Sequence, residues 1–123
     1  MDKTMPILLK RVYEKPAADD GKRILVERVW PRGLNKEKAK IDEWPKDIGP
    51  SAELRKWYSH DPAKWAEFKK RYWTELENKK DIVAKLAKES MKNRVTFLFG
   101  SKEEKLNSAA ALKEYVETQL TQQ

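Results

Sequence analysis

Three short hydrophobic runs in the chain are typical of buried β-strands. They cover residues 7–13, residues 23–30 and residues 95–99. Apolar residues are nearly continuous in the second and third runs, so we expect both faces of those two strands to be covered. The segment from residue 41 to residue 44 could add a short fourth strand.

Four other segments carry apolar residues at three- and four-residue spacing, the pattern of amphipathic helices. They cover residues 51–58, 61–76, 81–90 and 107–120. Ser51, Asp61 and Asn107 are predicted N-caps, because side-chain oxygens at that position accept the free N–H groups of a first helical turn. Pro62 follows Asp61 and suits the first helical position.

Buried strands separated by amphipathic helices predict a small, Rossmann-like α/β layered fold. The sheet is expected to be mainly parallel and flanked by helices, and the helical stretch over residues 51–90 supplies a crossover before the last strand. The first two strands are close enough in sequence to form a hairpin instead, which would make the sheet mixed. We predict a single domain over residues 1–123.

Composition excludes several classes of site. The 123 residues include no cysteine and one histidine, so thiol catalysis, disulfides and Cys- or His-based metal centres are disfavoured. No glycine-rich string typical of a dinucleotide or phosphate loop occurs. We therefore predict neither a cofactor nor a metal.

The chain is basic, with 27 Lys and Arg against 20 Asp and Glu and a net charge of +7. The excess is spread evenly, and most lysines stand beside glutamates in the predicted helices, as on a solvated surface. We therefore expect nucleic-acid binding to be weak at most.

Met1–Thr4 lacks the apolar core of a signal peptide, and no run is long enough to span a membrane, so we expect a cytoplasmic protein with no membrane partner. The pattern predicts no particular oligomeric state.

The most informative segment surrounds two opposite charges at the end of the second strand. Glu27 and Arg28 interrupt an apolar run, and a buried charge needs a partner. Neighbouring strand residues point to opposite faces, so the two should not pair with each other. Arg11 on the first strand is the candidate partner for Glu27. In open α/β sheets, ligands bind beyond the carboxyl ends of the strands, and this segment is such an end.

The turn that follows is stiff and carries an arginine. Pro31 favours extended geometry at Trp30, and Gly33 can adopt the positive φ that a tight turn requires. Arg32 is then aimed from a rigid corner, as suits bidentate recognition of a carboxylate or phosphate. The predicted anion-binding residues are Arg11, Arg28, Trp30, Arg32, Gly33, Arg55 and Asn107. The alternative is an ion-pair network that only pins the turn.

Several strings together resemble the YeaO-like proteins, small bacterial members of the domain-of-unknown-function family 488. They are Arg11-Val12-Tyr13, the stretch from Asp20 to Leu34, Pro50-Ser51, Leu54 to Tyr58, His60-Asp61-Pro62, and Phe68, Arg71 and Tyr72. The resemblance extends over residues 7–120 and implies an α/β fold. It implies no activity, because none is established for the family.

The chain also departs from the family pattern. YeaO-like proteins usually have Asp where Glu27 stands. They also have a His-Asn pair where this chain has Leu106 and Asn107, so only the Asn remains. A mechanism that needs that imidazole cannot operate here. The remaining candidates for proton transfer are Glu27 and His60, although His60 could simply pack before the Asp61 cap.

These observations predict an arginine-rich pocket that binds, or acts on, a small phosphorylated or carboxylated molecule or nucleotide. Two alternatives stand beside it: a non-catalytic nucleic-acid-binding or regulatory module, and an interaction protein whose charged turn is purely structural. The sequence leaves open whether the protein is an enzyme.

Overall fold

The computed structural model of the protein describes residues 7–121 and contains one three-stranded sheet. Its strands are β1 (Leu8–Arg11), β2 (Lys22–Leu25) and β3 (Val95–Phe99), in the order β1-β3-β2 and all parallel. The predicted α/β layered fold is confirmed. The hairpin alternative is wrong, because β3 lies between β1 and β2. Every residue of the central strand is buried, as its continuous apolar run predicts.

The second strand is shorter than predicted. Its pairing ends at Leu25, with one further hydrogen bond from the Val26 N–H to the Leu98 carbonyl at 3.2 Å. The Glu27 carbonyl instead accepts the indole N–H of Trp44 at 2.7 Å, so the backbone here is held by a loop. Residues 41–44 contribute an isolated bridge between Ile24 and Glu43 and no full strand.

Helices occupy most of the remaining chain. They are α1 (Lys36–Ala39), α2 (Ala52–Tyr58), α3 (Trp65–Leu76), α4 (Lys80–Lys92) and α5 (Ser108–Thr121). Short 3-10 turns cover Ala18–Asp20, Lys46–Ile48, Pro62–Lys64 and Glu77–Lys79. Only α1, a single turn, was not predicted.

The predicted caps form. The Ser51 hydroxyl accepts the Leu54 N–H at 3.1 Å, and the Asp61 carboxylate accepts the Ala63 N–H at 3.0 Å. Both bonds satisfy N–H groups that have no partner within their own helix. They fix where the chain enters the helical segment next to the sheet.

Side chains alternate between two cores on opposite faces of the sheet. Phe97 and Phe99 face the larger core, which α2 to α5 cover. Leu98 faces a smaller cluster with Val12 and Leu25, against which the half-buried Trp30, Leu34, Ile41 and Trp44 pack. The long helices therefore cover one face, and the loop around α1 covers the other.

Within residues 7–121, no helix is long and apolar enough to cross a membrane. Met1–Thr4, in which no signal segment is expected, lies outside the described residues.

Candidate functional site

A cleft of about 640 Å³ opens at the carboxyl edge of the sheet. Segments that follow all three strands contribute to it, together with α2 and the first turn of α5. This is where ligands bind in open α/β sheets. The lining includes Tyr13, Glu27, Val29, Trp30, Pro31, Arg32, Ala52, Arg55, Lys56, Tyr58, Ser59, His60, Phe68, Gly100, Ser101, Asn107 and Ser108.

The turn after β2 presents Arg32 at the mouth of the cleft. Gly33 adopts φ +72°, as predicted, and the Leu34 N–H donates to the Pro31 carbonyl. The Tyr13 hydroxyl donates to the Arg32 carbonyl at 2.7 Å and so ties the turn to the end of β1. The guanidinium of Arg32 is exposed and makes no hydrogen bond or ion pair with residues 7–121. The backbone of Arg32 is therefore fixed, while its guanidinium is unpaired within the described residues.

Arg55 is the most unusual group in the cleft. It lies in the middle of α2, and its Nε is buried without a hydrogen-bond partner. No ion pair to Arg55 forms within the described part of the chain. A buried donor of a charged group left without an acceptor costs about 1–3 kcal/mol or more, so such an atom calls for an explanation. Arg55 is also one of the residues that line the cleft.

Glu27 also faces the cleft, but its partner is not the predicted one. Its Oε1 accepts the Gly100 N–H at 3.0 Å. No arginine forms an ion pair with it among the residues described, so the expected Glu27–Arg11 pair is wrong. The physical reason is strand order, because β3 separates β1 from β2. The carboxylate is half-buried and joins the loops that follow β2 and β3.

Two of the predicted anion-binding arginines are already engaged. Arg11 donates to the carbonyls of Ser101 and Gly100 at 3.0 and 3.3 Å. Arg28 donates to the carbonyls of Pro50 and Gly49 at 3.1 and 2.9 Å.

The expected convergence of these two arginines with Arg32 does not occur. Neither Arg11 nor Arg28 lines the cleft, and Gly33 lies outside it. The alternation that would have aligned Arg28 with Arg32 requires extended chain, and the strand ends at Leu25.

His60 lies at the rim of the cleft in an uncommon conformation. Ser59 and His60 both adopt left-handed backbone, with φ of +45° and +56°. Each such residue costs about 1 kcal/mol or more, although His tolerates the region better than most. The imidazole is exposed, with its ring centroid 6.1 Å from that of Tyr58. The pKa of nearby Glu103 is lowered, chiefly by the N–H groups of Lys105 and Leu106 and slightly by His60.

Tyr58 and Asn107 form part of the lining, and their polar groups are occupied. The Tyr58 hydroxyl donates to the Leu106 carbonyl at 2.7 Å, and burial raises the pKa of this phenol. Asn107 is the predicted cap of α5: it accepts the Ala110 N–H at 2.9 Å and donates to the Glu103 carbonyl at 2.7 Å. Asn107 therefore holds the helix start in place. The adjoining first turn of α5 adds the partial positive charge of a helix N-terminus.

Trp30 forms one wall of the cleft. Its indole N–H donates to the Leu34 carbonyl at 3.2 Å, and its ring meets Trp44 edge-on at a centroid distance of 5.3 Å. Trp73, away from the cleft, is half-buried against Tyr115 and donates to the Ala111 carbonyl.

Sequence reasoning missed Tyr13, Val29 and Lys56 as lining residues. The available signal was position: Tyr13 follows β1 and Val29 follows β2, and the ends of parallel strands meet at one edge. For Lys56, adjacent to Arg55 in α2, no sequence signal distinguished it from the other surface lysines.

The described residues contain no group of three or more His, Asp or Glu side chains that could hold a metal ion. The charged side chains that line the cleft are two arginines, one lysine and one carboxylate, and one imidazole and several hydroxyl groups lie beside them.

Comparison with known proteins identifies the family of this chain. The family model described as "Inactive DUF488-N3 subclade" matches residues 6–123. The uncharacterized protein YeaO of Escherichia coli is 38% identical over 112 residues, which cover 91% of this chain and 97% of that protein.

Uncharacterized proteins of Mycobacterium tuberculosis and Mycobacterium bovis are 46% identical over 72 residues. That alignment covers 58% of this chain, and the chain spans about three fifths of the length of these relatives. No solved structure matches the chain significantly. The match over nearly the whole sequence confirms the resemblance: this chain belongs to the YeaO-like DUF488 family, in the subclade described as inactive.

Proposed function

We propose that this protein is a non-catalytic binding protein for a small carboxylated or phosphorylated molecule, which it holds in the cleft at the carboxyl edge of the sheet. The observation that carries the proposal is the buried, unpartnered Nε of Arg55. Guanidinium groups match carboxylate and phosphate oxygens in a planar, bidentate geometry. Because the Nε itself has almost no accessible surface, the side chain must turn slightly for a bound anion to satisfy this donor.

Charge in the cleft supports the same ligand class. Arg32, Arg55 and Lys56 contribute three positive charges, and Glu27 contributes one negative charge whose Oε1 is already bonded to Gly100. The first turn of α5 adds a favourable helix end. A volume of about 640 Å³ lies in the range of small-molecule sites.

Three features favour binding over catalysis. The family model that matches the chain is described as inactive. Leu106 stands where the YeaO-like pattern has a histidine. The Ser101 hydroxyl accepts the Glu103 N–H, and within residues 7–121 no hydrogen bond joins it to a histidine or carboxylate that could activate it as a nucleophile. The catalytic roles considered for Glu27 and His60 are not part of this proposal.

The test is an NMR titration that observes the Arg55 Nε–Hε resonance directly. Inorganic phosphate and succinate are the probes, so that the phosphate and carboxylate forms of the ligand are compared. We expect saturable shifts of this resonance and of the Trp30 indole N–H with at least one probe. Arg55→Gln should weaken binding at least tenfold, the loss expected when a charged hydrogen-bonding partner is removed.

Arg94→Gln is the matched control. It removes the same charge immediately before β3, at the opposite edge of the sheet from the cleft. Its affinity should equal that of the unmodified protein. Equal weakening by the two variants would mean that only the net charge matters, and it would overturn the proposal. The absence of any saturable shift would overturn it as well.

A further inference from the structure

Exposed apolar side chains are concentrated at the mouth of the cleft. Among the described residues, three large hydrophobic residues are exposed to solvent, with exposed fractions of 42% for Tyr13, 57% for Val29 and 52% for Met91. Two of them, Tyr13 and Val29, line the cleft. Both lie on segments that leave the sheet at its carboxyl edge. Exposed apolar groups gathered at a concave site indicate contact with an apolar part of a partner.

These side chains are held in place. The Tyr13 hydroxyl is bonded to the Arg32 carbonyl, and the Arg11 guanidinium lies over its ring, 4.8 Å from the centroid. Trp30, next to Val29, is fixed by its hydrogen bond to the Leu34 carbonyl and its ring contact with Trp44. A preformed apolar wall loses little conformational entropy when a ligand covers it.

The cleft therefore has two chemically different parts. Arg55 lies on α2 with an unpartnered charged donor, while Tyr13, Val29 and Trp30 form an apolar wall from the strand ends. We infer that the ligand is an organic anion in which the phosphate or carboxylate is attached to a ring-sized apolar group, and that this group packs against the wall. The inference rests on the proposed function, because it assumes that the anion binds at Arg55.

Size and shape favour a small molecule as the occupant. The cleft is concave, its volume is that of a site for a drug-sized ligand, and its apolar surface consists of a few side chains. A protein partner would need an apolar surface that continues beyond the cleft. Met91, the remaining exposed large hydrophobic residue of the described chain, lies on α4 and does not line the cleft.

The experiment compares inorganic phosphate with phenyl phosphate at pH 8, where the dianion is the main form of both probes. We expect phenyl phosphate to bind at least about tenfold more tightly, because burial of part of its ring removes apolar surface from water. Val29→Ser should reduce that ratio about threefold or more. Val29 is exposed, so this change should not unfold the protein.

Met91→Ser is the control, since it removes a similarly exposed apolar side chain from a different surface. It should leave both affinities unchanged. Equal affinities for the two probes, or a ratio that Val29→Ser does not alter, would overturn the inference while the Arg55-dependent binding of phosphate still stood. If Arg55→Gln leaves the affinities for both probes unchanged, the proposed function itself is overturned.

Discussion

The carboxylate of Glu27 accepts the N–H of Gly100 at 3.0 Å, so an acidic side chain joins the chain segments that leave two neighbouring strands. Gly100 also uses its carbonyl to accept Arg11. The short loop after β3 is thus held by side chains from the loop after β2 and from β1. These bonds shape one side of the cleft without using the two arginines that line it.

Removal of the Glu27 carboxylate should have a moderate effect on stability. We expect Glu27→Ala to lower the free energy of unfolding by about 1–2 kcal/mol, because a half-buried, charge-assisted hydrogen bond to Gly100 is lost. Glu27→Gln retains an oxygen acceptor and should cost less than about 1 kcal/mol. Urea unfolding followed by tryptophan fluorescence measures both. A loss of 3–5 kcal/mol in Glu27→Ala would indicate a buried ion pair that the structure does not contain.

A buried ion pair lies elsewhere, at the start of β2. Asp20 and Arg23 are 5% and 4% exposed, and their N and O atoms are 2.6 Å apart. Asp20→Ala strands the Arg23 charge and should cost about 3–5 kcal/mol. Asp19→Ala changes the exposed neighbouring carboxylate and should stay within about 0.5 kcal/mol. Similar unfolding midpoints for the two variants would contradict this prediction.

The Asp20 carboxylate should also make the free energy of unfolding depend on pH. Burial by itself would raise the pKa of Asp20, but hydrogen bonds from the Ala17 N–H, Lys10 and Arg23 outweigh it and lower the pKa. The unfolded chain therefore binds the proton more readily. The contribution is complete above the unfolded pKa of about 3.9 and is lost as the pH falls through the lower pKa of the folded state. Urea unfolding at pH 6 and at low pH should show a smaller acid-induced loss in Asp20→Ala than in the unmodified protein.

Two glycines with similar φ should respond very differently to alanine. Gly21 has φ +68°, and a Cβ there would lie 2.2 Å from the Arg94 carbonyl oxygen, which already accepts the Lys22 N–H. Gly21→Ala should cost at least about 3 kcal/mol, since backbone must shift as well as adopt an unfavourable φ. Gly33 has φ +72° with open space around it, so Gly33→Ala should cost about 1–2 kcal/mol, the conformational penalty alone. Thermal unfolding of both variants tests the difference, and equal losses would contradict it.

Nucleic-acid binding should be weak and sensitive to salt. The net charge of +7 is spread over the chain with no basic tail, and among the described residues Lys22, Lys69 and Lys113 are paired with glutamates. Few phosphates can then be contacted at once, so any binding to a duplex or single-stranded oligonucleotide should disappear by roughly 200 mM salt. Fluorescence anisotropy over a salt series measures this. Sequence-specific binding that persists at that salt concentration would favour a regulatory function instead.

The local features of the fold could be predicted from the sequence because they depend on neighbouring residues. The continuous apolar run at Val95–Phe99 identified the buried central strand, and Ser51 and Asp61 identified two helix starts. Gly33 was expected to adopt positive φ from its place in the turn after Pro31, and it does. Each of these follows from periodicity, capping chemistry or backbone sterics over a few residues.

The partners of the charged side chains were decided by tertiary structure. Strand order placed β3 between β1 and β2, which separated Arg11 from Glu27 and gave both of them backbone partners near Gly100. The early end of β2 turned Arg28 toward the Gly49 carbonyl and away from Arg32.

Nothing in the sequence distinguished the arginines that would be satisfied by carbonyl oxygens from the arginine that would not. Arg28 donates to two carbonyls of the loop before α2. Arg55, which lies within α2, has a buried Nε without a hydrogen-bond partner. Hydrogen-bond satisfaction depends on which distant backbone groups surround a side chain after folding. The sequence therefore determined the elements and the edge of the sheet at which the cleft forms, while the packing of β3, α2 and α5 decided which positive charges remain free within it.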